Sequence, residues 1–477
     1  MAPSALAAPA RVTTSPALTP AFSPVVHDYV SRCSPSIPLH VHVATGAGKV
    51  RVDGGRPRHG TFSVARRLRD GQAVTLRGRS GPAYRIRCIS PKFPQWTATR
   101  SGPTQAGWYV LTPSSTGVPN GRLSRYVTIV DSHGVPVWWM RPKIRPIDAR
   151  LLPNGDIAWG RFFGGTLGID PAGAYEEHRL DGKLVGKTST VGSPTDIHDM
   201  QRLANGDSLL ISYVPRDGVD LSAYGGPANA TVLDCEVQEI TRKGRKVWSW
   251  NSKDHVPLSE TGRWWPRVLA TPVKLKDGRD AYDIVHLNSV DARTGDVVVS
   301  MRHTDAVYDI ARPSGTVLWK LGGTSRAESL TLAGTSDSAS AIFSGQHDAR
   351  VLEDGTLTVH DNGTQRNRPP RALRFRIDSA AKTATLLEQV SDSRAETSAF
   401  AGSARRLPGG NWVTSWGGLP TVEELTPAGA AVFTLTLERD WFSYRAFPIP
   451  NGQLSRRTLN RAMEAMHPQR KLASARR

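Results

Sequence analysis

Apolar and polar residues alternate along this chain in short runs, and Gly or Pro clusters separate the runs. Between residues 37 and 112 the runs are Leu39-His40-Val41-His42-Val43, Thr61-Phe62-Ser63-Val64, Ala73-Val74-Thr75-Leu76 and Tyr84-Arg85-Ile86-Arg87-Cys88. A period of two over such short stretches predicts strands of a small β-sandwich. From about 107 to 449 the pattern becomes a repeat of two hairpin units. The first is an apolar residue, a Gly-containing turn and a strand, as in Leu152-Pro153-Asn154-Gly155-Asp156, Leu203-Ala204-Asn205-Gly206-Asp207, Leu352-Glu353-Asp354-Gly355-Thr356 and Leu407-Pro408-Gly409-Gly410-Asn411, with a looser copy at Ala292-Arg293-Thr294-Gly295-Asp296. Gly at such a turn accepts positive φ at little cost. The second unit is a strand, a Gly turn and a strand bearing a large apolar residue. Examples are Val130 to Trp138, Glu239 to Trp248, Asp309 to Trp319 and Glu424 to Phe433.

One unit of each kind makes a four-stranded sheet, and sheets repeating about every 40–50 residues are propeller blades. Five blades start near 147, 198, 286, 347 and 402. A sixth is assembled from 108–112, 126–130 and 135–140 with the late run Tyr444-Arg445-Ala446-Phe447, which joins the two ends of the chain. The expected fold is all-β: a six-bladed β-propeller preceded by a small β-sandwich domain. The expected boundaries are a flexible leader at 1–24, the sandwich-like domain at 25–106, the propeller at 107–449 and a basic tail at 450–477. The tail could form a short helix around Leu459, Ala462, Met463 and Met466. Two connections, about 252–285 and 322–346, are long enough to be lids, and the first contains Trp264-Trp265.

Composition narrows the class. In 477 residues, 39% are apolar and 22% charged, which excludes a collagen, a disordered polyelectrolyte and a coiled coil. No run nears ~18 apolar residues, so no membrane-spanning helix is expected. The net charge of +19 invites a nucleic-acid reading, but it is not spread evenly. Residues 1–125 hold 17 bases and 3 acids, residues 456–477 hold 7 bases and one acid, and the remaining body holds 37 bases and 38 acids. The basic residues of the front domain are scattered rather than aligned on one path, so they read as a solvated face and no nucleic-acid partner is expected. Cys33 and Cys88 fall in or beside the front domain and could bridge; Cys235 reads as a buried apolar residue. Ala5-Leu6-Ala7-Ala8 looks like the end of a signal peptide. The expectation is export, from a start upstream of Met1 or through a cleaved leader.

Aligning the hairpins on their turn glycines brings out candidate chemistry. His198 precedes Gly206 by eight residues, His347 precedes Gly355 by eight, and His286 precedes Gly295 by nine. The same position is Ile147 and Gly402 in two other blades. Three imidazoles should therefore converge on the channel axis. Arg302, seven residues after Gly295, should return beside His286 across the hairpin, and Asn288 shares the His286 strand face. His303 neighbours Arg302 but should point to the opposite face. Three His can make a zinc site with an open position, although a fixed Arg beside a divalent metal costs several kcal/mol without a bridging anion. The same set also matches the peripheral oxygens of a tetrahedral oxyanion, with one neutral His as nucleophile.

Ile197-His198-Asp199-Met200-Gln201-Arg202-Leu203-Ala204-Asn205-Gly206-Asp207, Val285-His286-Leu287-Asn288-Ser289-Val290, Ser300-Met301-Arg302-His303, Gly345-Gln346-His347-Asp348-Ala349 and Ser415-Trp416-Gly417-Gly418 leading to Glu423-Glu424 occur in one order. In that ordered set the chain resembles the bacterial arylsulfate sulfotransferases over roughly 107–449. The resemblance implies transfer of a sulfuryl group from an aryl sulfate donor to a phenolic acceptor through a sulfohistidine, with neither a metal nor a nucleotide donor and no cofactor. It implies His347 as the nucleophile, His198, His286 and Arg302 as holders of the sulfuryl oxygens, and Asn288 in the surrounding substrate-binding shell. It also implies an extracytoplasmic location. The front domain shares no motif with the best-known members, which weakens any carry-over of dimerisation through it and leaves a homodimer open. Two other functions compete: a metal-dependent hydrolase or lyase on the three His, and a propeller that binds an anionic ligand without turnover.

Overall fold

A computed structural model describes residues 11–46, 48–115, 125–392 and 397–469 of the chain. Residues 1–10, the part of the expected leader with the Ala-rich run, lie outside them. Regular structure is nearly all strand. The runs read from alternation form as expected: Leu39–Ala44, Thr61–Arg66, Ala73–Arg77 and Tyr84–Ile89 are all strands. Leu39, Val41 and Val43 are buried while His40 and His42 are exposed, so alternation is written directly into inside and outside.

These strands belong to two sheets. One contains Arg11–Ser15, Leu39–Ala44 and Thr61–Arg66; the other contains Leu18–Thr19, Asp28–Arg32, Tyr84–Ile89, Ala73–Arg77 and Arg51–Val52. Arg11–Ser15 pairs antiparallel with Leu39–Ala44 and buries Val12. Residues 11–24 therefore depart from the flexible leader expected there. Their Thr and Pro content hides a strand whose only buried apolar anchor is Val12. Cys33 and Cys88 are joined by a disulfide across this region.

Six further sheets each contain an antiparallel run of four strands, in a propeller-like arrangement. Their inner strands are Arg145–Leu151, Thr195–Arg202, Leu287–Ala292, His347–Val351, Ser403–Arg406 and Trp441–Pro450. Each of these packs against the next in that order, and the last returns to the first. Trp441–Pro450 pairs with Ala106–Ser115, with Leu111 opposite Ala446 and Val110 opposite Phe447, so the two ends of the chain share a sheet. Trp96–Arg100, expected in the front domain, is a fifth strand on the sheet of Ser403–Arg406, paired along Ala431–Leu437. Trp138, Trp159, Trp412 and Trp416 are fully buried between the sheets.

The C-terminal segment is not a solvated appendage. Ser455 caps the helix Arg456–Met466 by accepting from the Thr458 N–H, and Leu459, Ala462 and Met463 enter the core shared with the front sheets. Asn460 donates to Asp28 and accepts from Arg87, while Arg456 pairs with Asp28 and Asp131. Basic residues dominate the sequence here because the outer face of the helix is charged, and this masks an apolar stripe at helical spacing. Met463→Ala is expected to cost about 2–4 kcal/mol of stability in urea denaturation. The solvent-facing Arg457→Ala should stay within about 0.5 kcal/mol.

Candidate active site

The site forms at the N-terminal ends of the inner strands. The strands at Ile147 and at the three aligned histidines are irregular there. Register shifts fall between Ile147 and Arg150, between Thr195 and Met200, between Leu287 and Ser289, and between His347 and Arg350. His286, Asp148 and Asp348 have φ of 52°, 54° and 56°, in the left-handed region that non-Gly residues rarely occupy. A bulge breaks the in-out alternation. It lets two successive residues, such as His347 and Asp348, both turn toward the axis.

The three aligned histidines do converge. The His198 and His286 ring centroids lie 4.8 Å apart, and those of His286 and His347 lie 6.2 Å apart. All three are buried, as is Arg302. The Arg302 backbone N–H donates to the His286 carbonyl at 2.9 Å, which fixes the arginine across the hairpin from the imidazole. Arg302 donates from Nη2 to the Ala399 carbonyl, its guanidinium lies 4.2 Å over the Trp264 ring, and its buried Nε has no hydrogen-bond partner among the described residues. Burial and the nearby Arg267 cation lower its pKa to about 9, so it stays charged at neutral pH.

The imidazoles differ in what holds them. His198 Nδ1 meets Asp196 Oδ1 at 2.6 Å, and His286 Nδ1 meets Asp283 Oδ2 at 2.5 Å. Each carboxylate also accepts the backbone N–H of its own histidine. His347 Nδ1 has no carboxylate; it lies 3.0 Å from the Gly345 carbonyl. A carbonyl only accepts, and the Asn362 amide 3.3 Å away spends its two N–H on the Gly345 and Ala401 carbonyls, so Nδ1 carries the proton and Nε2 keeps its lone pair. Gly345 sits at φ 70°, and a Cβ there would come within 2.7 Å of Thr364 Oγ1, so the turn that aims this carbonyl requires glycine. Asn362 Nδ2 donates to the same carbonyl at 2.7 Å, and Asn362 Oδ1 lies 3.1 Å from His360 Nε2. Burial, then the like charges of His286 and Arg302, push His347 well below the ordinary imidazole range. Burial, His198 and Arg302 do the same to His286.

Asn288 is fully buried and spends its amide N–H on the Gln346 carbonyl at 2.9 Å. It therefore tethers the residue before His347. His303 was expected on the opposite face, yet its ring lies 4.9 Å from that of His286. Residues Arg302–Thr304 form a 3₁₀ turn instead of continuing the strand, and this rotates His303 back. Its Nδ1 donates to the Asp283 backbone carbonyl at 2.7 Å. Asp283, His286 and His303 form a group that could hold a metal ion, a different set from the three aligned imidazoles. Its Nδ1 atoms are already engaged by Asp283.

The other half of the channel is apolar. Ile147, Ile197, Ala401, Phe442 and Tyr444 form one buried cluster with Phe162 against it. The Tyr444 ring lies 5.8 Å from His198 and 6.4 Å from His347, and its buried hydroxyl has no hydrogen-bond partner among the described residues. Below the imidazoles an ionic cluster fills the axis. Fully buried Arg445 bonds Asp148 at 2.9 Å, Asp199 at 3.1 Å and Asp348 at 3.2 Å. Arg350 adds contacts to Asp199 and Asp348, Arg150 to Asp199, and Arg405 to Asp348.

Sequence reasoning missed Tyr444, Asn362, Trp264 and the carboxylates Asp196 and Asp283. The last two carry a local signal, an acid two or three residues ahead of a channel His. An anionic group bordered by three imidazoles and a guanidinium, with an aromatic wall opposite, is the chemistry this arrangement suits.

A search of curated proteins finds no significant match. Among solved structures the chain is similar to a protein of unknown function from Bacteroides caccae, at 12% identity over 72% of this chain and 99% of that one with a TM-score of 0.43. It is also similar to a catalytically inactive virginiamycin B lyase from Staphylococcus aureus with quinupristin, at 9% identity over 72% and 100% with a TM-score of 0.37. A third is Hsv2 of Kluyveromyces lactis, at 10% identity over 86% and 96% with a TM-score of 0.33. Likeness at these scores carries no functional argument. The arylsulfotransferase (ASST) family model matches residues 175–438, which include all three channel histidines and Arg302, and the chain belongs to the arylsulfotransferase family.

Proposed function

We propose that the protein moves a sulfuryl group from an aryl sulfate to a phenol through a sulfohistidine on His347 Nε2, independent of a nucleotide sulfate donor. The observation that carries this reading is the difference in Nδ1 partners. A carboxylate on Nδ1 favours a second proton on Nε2 once an anion binds beside the ring, so the two Asp-paired imidazoles can donate Nε2–H to the sulfuryl oxygens even though burial holds His286 low in the free site. A carbonyl does not, so His347 stays neutral with a lone pair on Nε2.

In the first half-reaction His347 Nε2 bonds to sulfur as the S–O(aryl) bond breaks. The electron pair leaves on the phenolate oxygen, which takes a proton from a neighbouring imidazolium. In the second, the acceptor phenol oxygen attacks sulfur, the N–S bond breaks and the phenol proton returns to the site. Charge spreads over the three peripheral oxygens, by analogy with phosphoryl transfer. Arg302, His198 and His286 hold those oxygens, and Asn288 acts through Gln346 to keep His347 in place. The apolar wall of Phe442 and Tyr444 receives the ring.

The same reading takes the six sheets as six blades of one propeller. It takes the sheets from Arg11–Ser15 to Tyr84–Ile89 as a sandwich-like unit, the six four-stranded sheets with Trp96–Arg100 on one edge as the ring, and the helix Arg456–Met466 as docked on both. It places the protein outside the cytoplasm, which the Cys33–Cys88 disulfide supports. No helix among the described residues is long and apolar enough to cross a membrane.

His347 is held low by burial and by cationic neighbours. Its reactive neutral form is therefore full at pH 7 and persists as pH falls below ~6.5, where free imidazole protonates. The acid limb of the self-labelling rate should lie below that value. A limb at or above it, in stopped-flow release of phenol, would contradict the neutral nucleophile. The direct test is intact mass after incubation with 4-nitrophenyl sulfate alone. The protein should gain about 80 Da, the SO₃ group, and lose it on adding phenol. Turnover that is stopped by chelator, with no added mass, would instead assign the reaction to a metal held by the channel histidines.

A further inference from the structure

The mouth of the channel holds a cation that the transfer chemistry does not use. Arg145 opens the strand Arg145–Leu151, two residues before Ile147, the position that carries His in the three histidine-bearing sheets. Side chains two apart share a strand face about 7 Å apart, so Arg145 stands one step farther out than the aligned set. It lies opposite Phe162 in the register of its hairpin, and its guanidinium stacks 3.9 Å from the Phe162 ring centroid. Phe162 in turn packs against the apolar cluster that contains Ile147, Phe442 and Tyr444.

Arg145 differs from the other inner-strand arginines. Arg150, Arg350, Arg405 and Arg445 all bond buried carboxylates. Among the described residues the Arg145 side chain has the Phe162 stacking contact and neither an ion pair nor a hydrogen bond. Burial lowers its pKa to about 10, with no acid close enough to offset it. A half-buried guanidinium without a counter-charge is costly. Stacking leaves its N–H edge free to donate a bidentate fork to a carboxylate.

We propose that Arg145 reads a carboxylate on the aryl ring, at the end remote from the transferred group, so that the protein favours carboxylated phenols and their sulfate esters over neutral ones. This rests on the sulfuryl-transfer reading for the placement of the ring. With the sulfuryl group among His198, His286, His347 and Arg302, the ring lies along Phe442 and Tyr444, and its far end faces Phe162 and Arg145. A ping-pong enzyme binds donor and acceptor in turn in one place, so both partners are read by the same cation.

Two measurements separate this inference from the reading beneath it. The first is binding without chemistry. Calorimetry with 4-hydroxybenzoate and with phenol, in the absence of donor, should show tighter binding of the carboxylate in the wild type. Arg145→Gln should weaken 4-hydroxybenzoate on the order of 10–100-fold more than it weakens phenol. Arg145→Lys, which keeps the charge and loses the fork, should fall between, and it serves if the Gln variant does not fold. The second is turnover: the ratio of kcat/KM for 4-carboxyphenyl sulfate to that for phenyl sulfate should drop by a similar factor in Arg145→Gln. Equal loss for both phenols, or no preference in the wild type, overturns the role of Arg145 even if aryl sulfates are turned over. A preference that depends on Arg145 without turnover keeps the carboxylate site and rejects the transfer reading.

Discussion

His347→Ala should abolish both turnover of aryl sulfate and the gain of about 80 Da on incubation with donor alone, while the folded protein survives. The expectation follows from the bonds around each imidazole. His347 Nδ1 donates to the Gly345 carbonyl, and Asn362 braces that carbonyl from the other side. The pair fixes the tautomer and points Nε2 into the channel. Alanine removes the atom that bonds to sulfur, and no neighbouring nitrogen is equally prepared, because His198 and His286 are tied to Asp196 and Asp283. Alanine at His198, His286 or Arg302 should act differently. On the proposed reading each removes one holder of a sulfuryl oxygen, which costs on the order of 10²–10³ in rate elsewhere, and labelling should survive, slowed. Intact mass against time for the four variants reads the difference. If all three His variants lose activity equally and zinc restores the wild type after chelation, a metal set replaces the covalent route.

Much of this was legible because a repeat protein counts its own residues. Gly206, Gly295 and Gly355 mark turns, and fixed spacing back from each turn reaches the same rim. His198, His286 and His347 could thus be grouped without a structure, and Arg302 followed from hairpin length. What escaped has physical reasons. His303 depends on a 3₁₀ turn that no periodicity announces. Tyr444 comes from the strand that closes the chain on itself, where neighbours in space are hundreds of residues apart in sequence. Trp264 lies in an irregular connection and joins the site by stacking on Arg302 and lying 5.2 Å from the His303 ring. Trp96–Arg100 is an edge strand with little buried apolar surface, so its alternation is weak. Arg11–Ser15 hides in a Thr- and Pro-rich stretch for the same reason. The ionic cluster was hidden in plain view. The aligned positions Ile147, His198 and His347 are each followed by Asp, but strict strand alternation would send that Asp to the outer face. The bulges cancel the alternation.

That cluster supports the second large effect: Arg445→Met should destabilise the protein by about 3–5 kcal/mol and also lower activity. Four arginines, Arg150, Arg350, Arg405 and Arg445, face the acids Asp148, Asp199, Asp291 and Asp348, and Arg445, Asp148, Asp199 and Asp348 at the centre have no water-facing surface to relax into. Arg445 is fully buried and reaches three of the carboxylates. Removing it leaves one uncompensated negative charge in the axis, and the cost is mainly desolvation of that charge rather than lost contact area. The loss should therefore shrink when a charge is removed with it. Arg445→Met combined with Asp148→Asn should recover part of the stability, a coupling that two independent packing defects would not show. The activity effect has a separate route. Arg445 donates to the His198 carbonyl at 2.9 Å and to the Asn288 carbonyl at 2.8 Å, so it fixes the backbone of two site strands. The double variant restores charge balance but not those two bonds. Its stability should recover further than its kcat, as read by urea denaturation and aryl sulfate turnover on the same preparation. Equal recovery of both would mean that Arg445 acts on the site through stability alone.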